Sequence, residues 1–284
     1  MFFLIRVLIL AMALYGVVVV VYLLIEPRKV YPAPKVDRFS LRKAALAFSA
    51  ANSVEVAELS LTASDGVSLY GWRVDYGPKM VLYFSGNGTA VSLPQEIYAT
   101  FLERGMSFVH LSYRGYPGSE GRPTERGLIR DARAAWEEVL RTHKPEDVVV
   151  HGRSLGGGVA VGLLDALRVE GLPLPKALIL EATFTSAVDV ARESHGWLPL
   201  DLLMRNRFST RDRLPNLHLP VLIFHGTEDQ TIPYAHAEQL ASYAANSELY
   251  AADASLGHKD WLLQDPVVRK AHAKFLKRIF PAER

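Results

Sequence analysis

The 284-residue sequence contains no cysteine. This absence excludes disulfide bridges, thiolate metal sites and a cysteine nucleophile. The chain also lacks an excess of charge of one sign, since 32 Lys and Arg residues stand against 30 Asp and Glu residues. A charge balance this close to zero gives no electrostatic reason to expect a nucleic-acid partner. None of the nine histidines stands in a spacing typical of metal ligands, so we expect neither a metal ion nor another cofactor.

A long apolar run lies near the amino terminus. Residues 7–25 contain no charged side chain and no proline. As an α-helix this segment measures about 28 Å, close to the hydrocarbon thickness of a bilayer. A cleaved signal peptide and a buried core helix are the alternatives, but the run ends in Glu26-Pro27-Arg28 without a small-residue cleavage site. We therefore predict a single-pass transmembrane anchor over residues 1–26.

Basic residues are concentrated after this run. Arg6 alone precedes the run, and the basic residues that follow it are Arg28, Lys29, Lys35, Arg38, Arg42 and Lys43. This asymmetry favours a globular domain on the cytoplasmic side of a membrane. The same cluster is also compatible with a surface that rests on anionic headgroups, or with a solvated linker.

The remaining chain divides into a linker and one domain. Residues 27–53 begin with three prolines and continue with an alanine-rich piece, which predicts a tether followed by a short helix. Residues 54–284 suit a single domain with a large core. Within this domain, residues 54–61 and 67–74 alternate loosely around the turn signal at residues 64–66, which predicts a hairpin. Short apolar runs typical of strands buried on both faces follow at residues 80–84, 107–111, 148–150, 177–180 and 221–224, with residues 248–252 as a last candidate strand. Helical spacing occupies residues 128–140, 159–169, 235–243 and 267–279.

This alternation of strands and helices predicts an α/β fold. We expect a mostly parallel twisted sheet flanked by helices, with an antiparallel hairpin at its start. Active residues of such sheets lie at the carboxyl ends of the strands. The one insertion long enough for a small cap covers about residues 184–218, and its apolar cluster around Trp197 and Leu202 is expected either to shape an acyl pocket or to close the core.

The most informative motif is Gly-x-Ser-x-Gly, formed by Gly152, Ser154 and Gly156 between a predicted strand and a predicted helix. A serine at the tip of a sharp strand-to-helix turn has a crowded backbone, so the residues two positions away need to lack a Cβ atom. The N–H groups that open the helix then point to where an oxyanion forms. We predict Ser154 as a nucleophile; the alternative is a glycine-rich packing turn in which it only caps the helix.

A nucleophilic serine needs a histidine base and a carboxylate that orients the base, and in this fold class the acid precedes the histidine along the chain. His258 lies in a loop after the last predicted strand and is the predicted base. By contrast, His225 falls within a strand, and His272 is expected on the surface of the final helix. Asp229 follows a predicted strand by a short turn and is the predicted acid, with Glu181 as its strongest rival.

Further segments occur in the same order as in a known family. They are residues 113–116 (Tyr-Arg-Gly-Tyr), 118–124, 181–186 and 225–229. With the nucleophile motif they make the chain resemble the bacterial and eukaryotic serine hydrolases called α/β-hydrolase domain-containing proteins, many of which carry an N-terminal membrane helix. The resemblance covers about residues 59–275. It implies the α/β-hydrolase fold and a catalytic triad of Ser154, Asp229 and His258.

The resemblance also implies an oxyanion hole. Its donors would be the backbone N–H groups of Asn87 and Leu155. Asn87 belongs to a glycine-containing loop, residues 85–89, directly after a predicted strand. The family usually has His-Gly-Asn where residues 85–87 of this chain are Ser-Gly-Asn. The change from histidine to Ser85 keeps the backbone donor and leaves open which residue holds the loop.

The implied activity is that of a serine hydrolase acting on a carboxylic ester, a thioester or a lipid acyl bond. The reaction would proceed through an acyl group on Ser154 and would need no cofactor. The expected substrate is a small-molecule or lipid-like acyl compound, and the membrane is the expected location. Two alternatives remain, namely a membrane-tethered serine peptidase and an inactive binding or scaffolding protein on a hydrolase fold.

Overall fold

The computed structural model describes residues 2–281. Residue 1 of the predicted anchor and residues 282–284 of the predicted domain lie outside the described residues. The strands are β1 (Ala57–Thr62), β2 (Ser68–Val74), β3 (Lys79–Phe84), β4 (Met106–Ser112), β5 (Val148–Arg153), β6 (Ala177–Glu181), β7 (Val221–Gly226) and β8 (Ser247–Ala252). The α-helices are α1 (Phe2–Val30), α2 (Arg38–Asn52), α3 (Gln95–Glu103), α4 (Glu125–Val139), α5 (Leu155–Val169), α6 (Ala187–His195), α7 (Leu200–Leu203), α8 (Thr210–Arg213), α9 (Ala235–Tyr243) and α10 (Pro266–Ile279).

The eight strands form one sheet in the order β1-β2-β4-β3-β5-β6-β7-β8. The pairs β1–β2 and β2–β4 are antiparallel. Every other pair in the sheet is parallel. The predicted mostly parallel sheet with an antiparallel start is therefore confirmed. Because the parallel strands point the same way, their carboxyl ends lie along one edge, and the residues that follow them meet there.

Helices cover both faces of the sheet, as predicted. Side chains of a strand alternate between its faces, so Val148 and Val150 of β5 join one core while Val149 joins the other. The first core packs against α4, α5 and α9. The second packs against α2, α3 and α10. Burial on both faces explains why the central strands are continuous apolar runs rather than alternating patterns.

The structure differs from the sequence-based expectations at α3 and α10. Helix α3 was not predicted, and the residue before its start, Pro94, gives it no side-chain cap. The expectation that His272 lies on the surface is wrong, because only 1% of it is exposed. It shares the inward face of α10 with Val268 and Phe275, which lie about one turn before and one turn after it.

Helix α1 is long and apolar enough to cross a bilayer. A signal sequence near the amino terminus can have the same length and composition. Helix α1 continues through Pro27 to Val30, beyond the predicted end of the anchor at residue 26. The reason is packing, since Val30 and Tyr31 contact the main core. Further up the helix, Tyr22 packs against the insertion between β6 and β7.

A buried polar contact fixes the end of α1 to the rest of the domain. The side chain of Glu26 is only 4% exposed. Its carboxylate accepts hydrogen bonds from the backbone N–H of Asn206 at 3.3 Å and from the Asn206 amide nitrogen at 3.1 Å. The amide oxygen of Asn206 in turn accepts from the Tyr31 hydroxyl at 3.0 Å and from the Glu125 N–H at 2.9 Å. The carboxylate therefore has its partners, as a buried charge requires.

Candidate active site

Ser154 occupies the sharp turn between β5 and α5. Its backbone has φ 51° and ψ −120°, a positive φ that is rare for a residue with a side chain. The turn needs its two glycines: a Cβ atom on Gly152 would lie 2.4 Å from the carbonyl oxygen of Gly156, and one on Gly156 would lie 2.0 Å from the carbonyl oxygen of Phe84. The backbone is therefore strained at the one residue whose hydroxyl it presents.

Three side chains from distant parts of the chain meet at this turn. The hydroxyl oxygen of Ser154 lies 3.0 Å from Nε2 of His258. Nδ1 of the same imidazole lies 2.7 Å from a carboxylate oxygen of Asp229. Ser154 follows β5, Asp229 follows β7 and His258 follows β8, so each comes from the carboxyl end of a parallel strand. The structure thus brings the three predicted residues into one hydrogen-bonded chain.

The carboxylate of Asp229 is held by more than the imidazole. One of its oxygens accepts the backbone N–H groups of Thr231 at 2.8 Å and Ile232 at 2.9 Å. The other lies 3.3 Å from Nε2 of His225. Burial alone would raise the pKa of Asp229, but hydrogen bonds from His225 and His258 outweigh it and hold the pKa well below its ordinary value. The carboxylate is therefore ionised and fixed in position.

His225 was expected to be a core or strand-end residue. It is buried at the end of β7, and its ring contacts the Asp229 carboxylate. A histidine four residues before a candidate acid, at the end of the same strand, is a signal that could have predicted this contact.

Glu181, the predicted rival of Asp229, does not reach His258. Its carboxylate lies 3.1 Å from Nε2 of His151 and 3.3 Å from Nε of Arg153. The Arg153 guanidinium also donates to the backbone carbonyl of His258, and to that of Asp260 at 3.1 Å. Glu181 and Arg153 therefore fix the loop that carries the imidazole. Nothing in the sequence marked Arg153, since the two carbonyls that it binds lie more than a hundred positions away along the chain.

The two predicted oxyanion donors flank the serine. Asn87 follows β3 and Leu155 is the first residue of α5, and both line the cavity into which the Ser154 hydroxyl opens. The intervening loop lies close to the serine, because a Cβ atom on Gly86 would be 3.2 Å from the Ser154 Cβ atom. Asn87 and Leu155 therefore lie beside the hydroxyl, where the N–H donors for a tetrahedral oxyanion are expected.

Ser85, where the chain departs from the family pattern, is the residue that holds this loop. Its hydroxyl lies 3.0 Å from Nε2 of His110, and its carbonyl accepts the Tyr113 hydroxyl at 2.9 Å. Burial lowers the pKa of His110 to about 3, so the ring is neutral. Tyr98 donates to a backbone carbonyl and contacts Nδ1 of His110. Nδ1 therefore carries the proton, and Nε2 accepts from Ser85.

A cavity of about 310 Å³ opens at the serine. Its walls come from three parts of the chain, namely the end of α1, the loops around the serine, and the insertion between β6 and β7. The lining is mainly apolar, with a few polar groups that include Lys29 and His195; their side-chain nitrogens are 3.2 Å apart. Such a cavity suits a ligand with an apolar part and one polar end.

Comparison with known proteins agrees with the fold and the motifs. No family model matches the chain. The chain is 32% identical over 251 residues to the alpha/beta hydrolase domain-containing protein WAV2 of Arabidopsis thaliana, with 80% of each chain covered. It is also 33% identical over 185 residues to the lysophosphatidylserine lipase ABHD12 of Danio rerio, with 60% of this chain and 48% of that protein covered.

Among solved structures, an esterase of Pyrococcus furiosus superposes with a TM-score of 0.66. The superposition covers 88% of this chain and 97% of the esterase at 19% sequence identity, so it shows the shared fold alone. The identity to WAV2 extends over four fifths of both sequences. The chain therefore belongs to the α/β-hydrolase domain-containing family.

Proposed function

We propose that the protein is a serine hydrolase that cleaves an ester, thioester or lipid acyl bond through an acyl-enzyme on Ser154. The observation that carries the proposal is the unbroken hydrogen-bonded chain from Ser154 through His258 to Asp229. A binding or scaffolding protein has no need for a strained serine, an oriented imidazole and an ionised carboxylate in contact with one another. The proposal assigns these three residues the roles of nucleophile, base and acid.

The reaction follows from the geometry. Nε2 of His258 takes the proton of the Ser154 hydroxyl as the oxygen attacks the substrate carbonyl carbon. The oxyanion that forms is stabilised by the N–H groups of Asn87 and Leu155. The imidazolium, stabilised by the Asp229 carboxylate, then protonates the leaving group as the bond to it breaks. Water attacks the acyl-enzyme by the same route and restores the free serine.

The proposed substrate is an acyl ester with an apolar chain. Most of the cavity wall is apolar in area, and its polar residues include Glu26, Lys29 and His195 besides those around the serine. One relative is a lysophosphatidylserine lipase, and this chain spans about half of its length. Both points favour a lipid-like ester over a peptide.

We further propose that α1 is a permanent single-pass anchor rather than a cleaved signal peptide. The buried Glu26 carboxylate and Tyr31 both bond to Asn206 of the insertion. Removal of the helix would leave the Asn206 amide nitrogen without Glu26 and would open one wall of the cavity. The basic residues after α1 then favour a domain on the cytoplasmic face.

The test is labelling by a fluorophosphonate probe, together with hydrolysis of p-nitrophenyl esters of graded chain length. We expect the protein to be labelled, and Ser154→Ala to lose labelling and up to about a millionfold of turnover. The control is Ser60→Ala on β1, whose exposed side chain lies outside the candidate site, and its activity should be unchanged. Equal labelling of both variants would refute the assignment of Ser154, and no labelling of folded protein would favour a scaffold. Faster cleavage of matched amides than of esters would favour a peptidase.

A further inference from the structure

The insertion between β6 and β7 exposes two large apolar side chains next to α1. Trp197 is 60% exposed and Leu202 is 85% exposed. The indole of Trp197 meets the ring of Tyr15 edge to face, with the ring centres 6.2 Å apart. Leu198 and Met204 of the same insertion pack against Tyr22 of α1. Trp197 and Leu202, which we call the apolar tip, are therefore exposed on a segment that packs against α1.

The position of the apolar tip along α1 sets its level in a bilayer. The apolar run of α1 ends at Ile25, and Arg28 and Lys29 follow it. Basic side chains at that point lie at the level of the headgroups. Tyr15 precedes Ile25 by ten residues, which is about 15 Å along a helix. Trp197, in contact with Tyr15, therefore lies at the level of the acyl chains.

Three charged residues beside the apolar tip pair with one another. Asp201, the neighbour of Leu202, accepts a hydrogen bond from the Arg192 guanidinium at 2.7 Å. Arg192 also donates to Asp189 at 2.7 Å. Immersion of an unpaired charge would oppose insertion, whereas a paired and hydrogen-bonded one costs far less. The charges of Asp189, Arg192 and Asp201 are therefore not isolated next to the apolar tip.

The cavity lies on the inner side of the same wall. Tyr22 and Val30 of α1 line it, as do Val190 and Met204 of the insertion. The helix in the membrane and the segment that carries the apolar tip thus form one continuous boundary between the lipid and Ser154.

We infer that the apolar tip is a docking surface for the bilayer that holds α1, and that an acyl chain passes from this bilayer into the cavity between α1 and the insertion. The delivery of the acyl chain rests on the proposed hydrolase activity, and the docking rests on the proposed anchor but not on that activity. The partner is a lipid bilayer, because the apolar tip lies beside α1, the one helix within residues 2–281 that is long and apolar enough to span it.

Docking is tested by fluorescence of the full-length protein in vesicles of phosphatidylcholine brominated along its acyl chains. The chain has four tryptophans, so the signal of Trp197 is the difference between the wild type and Trp197→Phe. We expect brominated lipid to quench this difference signal strongly relative to unbrominated lipid. Equal quenching of the two proteins would overturn the inference.

Delivery is tested with Leu202→Asp. Loss of one immersed leucine predicts a fall of roughly tenfold or more in the hydrolysis of a long-chain ester embedded in vesicles. Turnover of water-soluble p-nitrophenyl acetate should stay within about twofold, because the substitution leaves the serine untouched. The matched control is Val169→Asp at the far end of α5, a 69% exposed side chain, which should change neither rate.

The outcomes separate the two proposals. Unchanged vesicle activity of Leu202→Asp would contradict delivery through the apolar tip. Parallel loss of both activities would point to misfolding, and the quenching experiment would then decide, since it needs no catalysis. If the protein fails to hydrolyse any ester while Trp197 is quenched, the proposed function fails and the docking surface stands.

Discussion

Replacement of Arg153 by methionine should separate the stability of the protein from the alignment of its imidazole. The side chain of Arg153 is 8% exposed and that of its partner Glu181 is fully buried. Burial would raise the pKa of Glu181, but the hydrogen bond from His151 and the charge of Arg153 outweigh it and lower the pKa. Glu181 is thus a buried carboxylate that depends on its neighbours to stay charged.

The expected magnitudes follow from these contacts. Removal of one partner of a buried ion pair costs about 3–5 kcal/mol of unfolding free energy. The variant also loses the hydrogen bonds from Arg153 to the carbonyls of His258 and Asp260. These bonds fix the loop of the proposed base, and a displacement of about 1 Å in a reacting group costs on the order of a hundredfold in rate. We therefore expect Arg153→Met to lower both stability and kcat.

A second variant distinguishes the two effects. In Arg153→Met combined with Glu181→Gln no buried charge is left without its partner, so most of the lost stability should return. The carbonyls of the His258 loop are still without their donor, so kcat should stay low. Urea unfolding and hydrolysis of p-nitrophenyl butyrate measure the two quantities. Recovery of kcat in the double variant would refute the positioning role of Arg153. The role of Arg153 would then be only to balance the charge of Glu181.

The remaining predictions concern the proposed acid, a buried histidine and the cavity wall. Asp229→Asn should fold normally and lower kcat about ten-thousandfold, as judged by circular dichroism and ester hydrolysis. Burial lowers the pKa of His272 to about 3, below its unfolded value, so stability should fall as pH drops from about 6.5 to 3, by at most ~1.4 kcal/mol per pH unit. In His272→Phe the free energy of unfolding should depend less steeply on pH between about 6.5 and 3. An unchanged pH dependence would contradict the lowered pKa of His272. Tyr22→Ala should favour longer p-nitrophenyl esters by about fourfold per added methylene that the widened cavity buries. Tyr15→Ala, outside the cavity, should leave the chain-length profile unchanged.

Much of the fold was predictable because burial on both faces of a sheet leaves a simple signature. The helix expected at residues 235–243 has those bounds in α9, and each expected strand is present. The burial of His272 was not predicted, because a polar side chain within a helix was expected on the surface. A spacing of one turn from Val268 placed it on the inward face of α10.

The candidate site was predictable where it depends on local turns and strand ends. Ser154, Asp229 and His258 each follow a parallel strand, so the topology alone brings them to one edge, while their catalytic roles stay predictions. Arg153 and His225 were not found in this way. The contacts of Arg153 with the His258 loop exist only once distant segments meet. The contact of His225 with Asp229 spans only four residues, but a strand residue gives no sign that its ring turns towards the carboxylate.

The amide of Asn206 has practical consequences for how this protein is purified and measured. Both ends of that side chain are engaged, one by Glu26 of α1 and the other by Tyr31 and Glu125. Removal of α1 to gain solubility would take away Glu26, the partner of the amide nitrogen, and would open one wall of the cavity to water. Kinetic constants obtained from such a shortened form would describe a different catalyst, so detergent-solubilised full-length material is the sample on which chain-length selectivity should be determined.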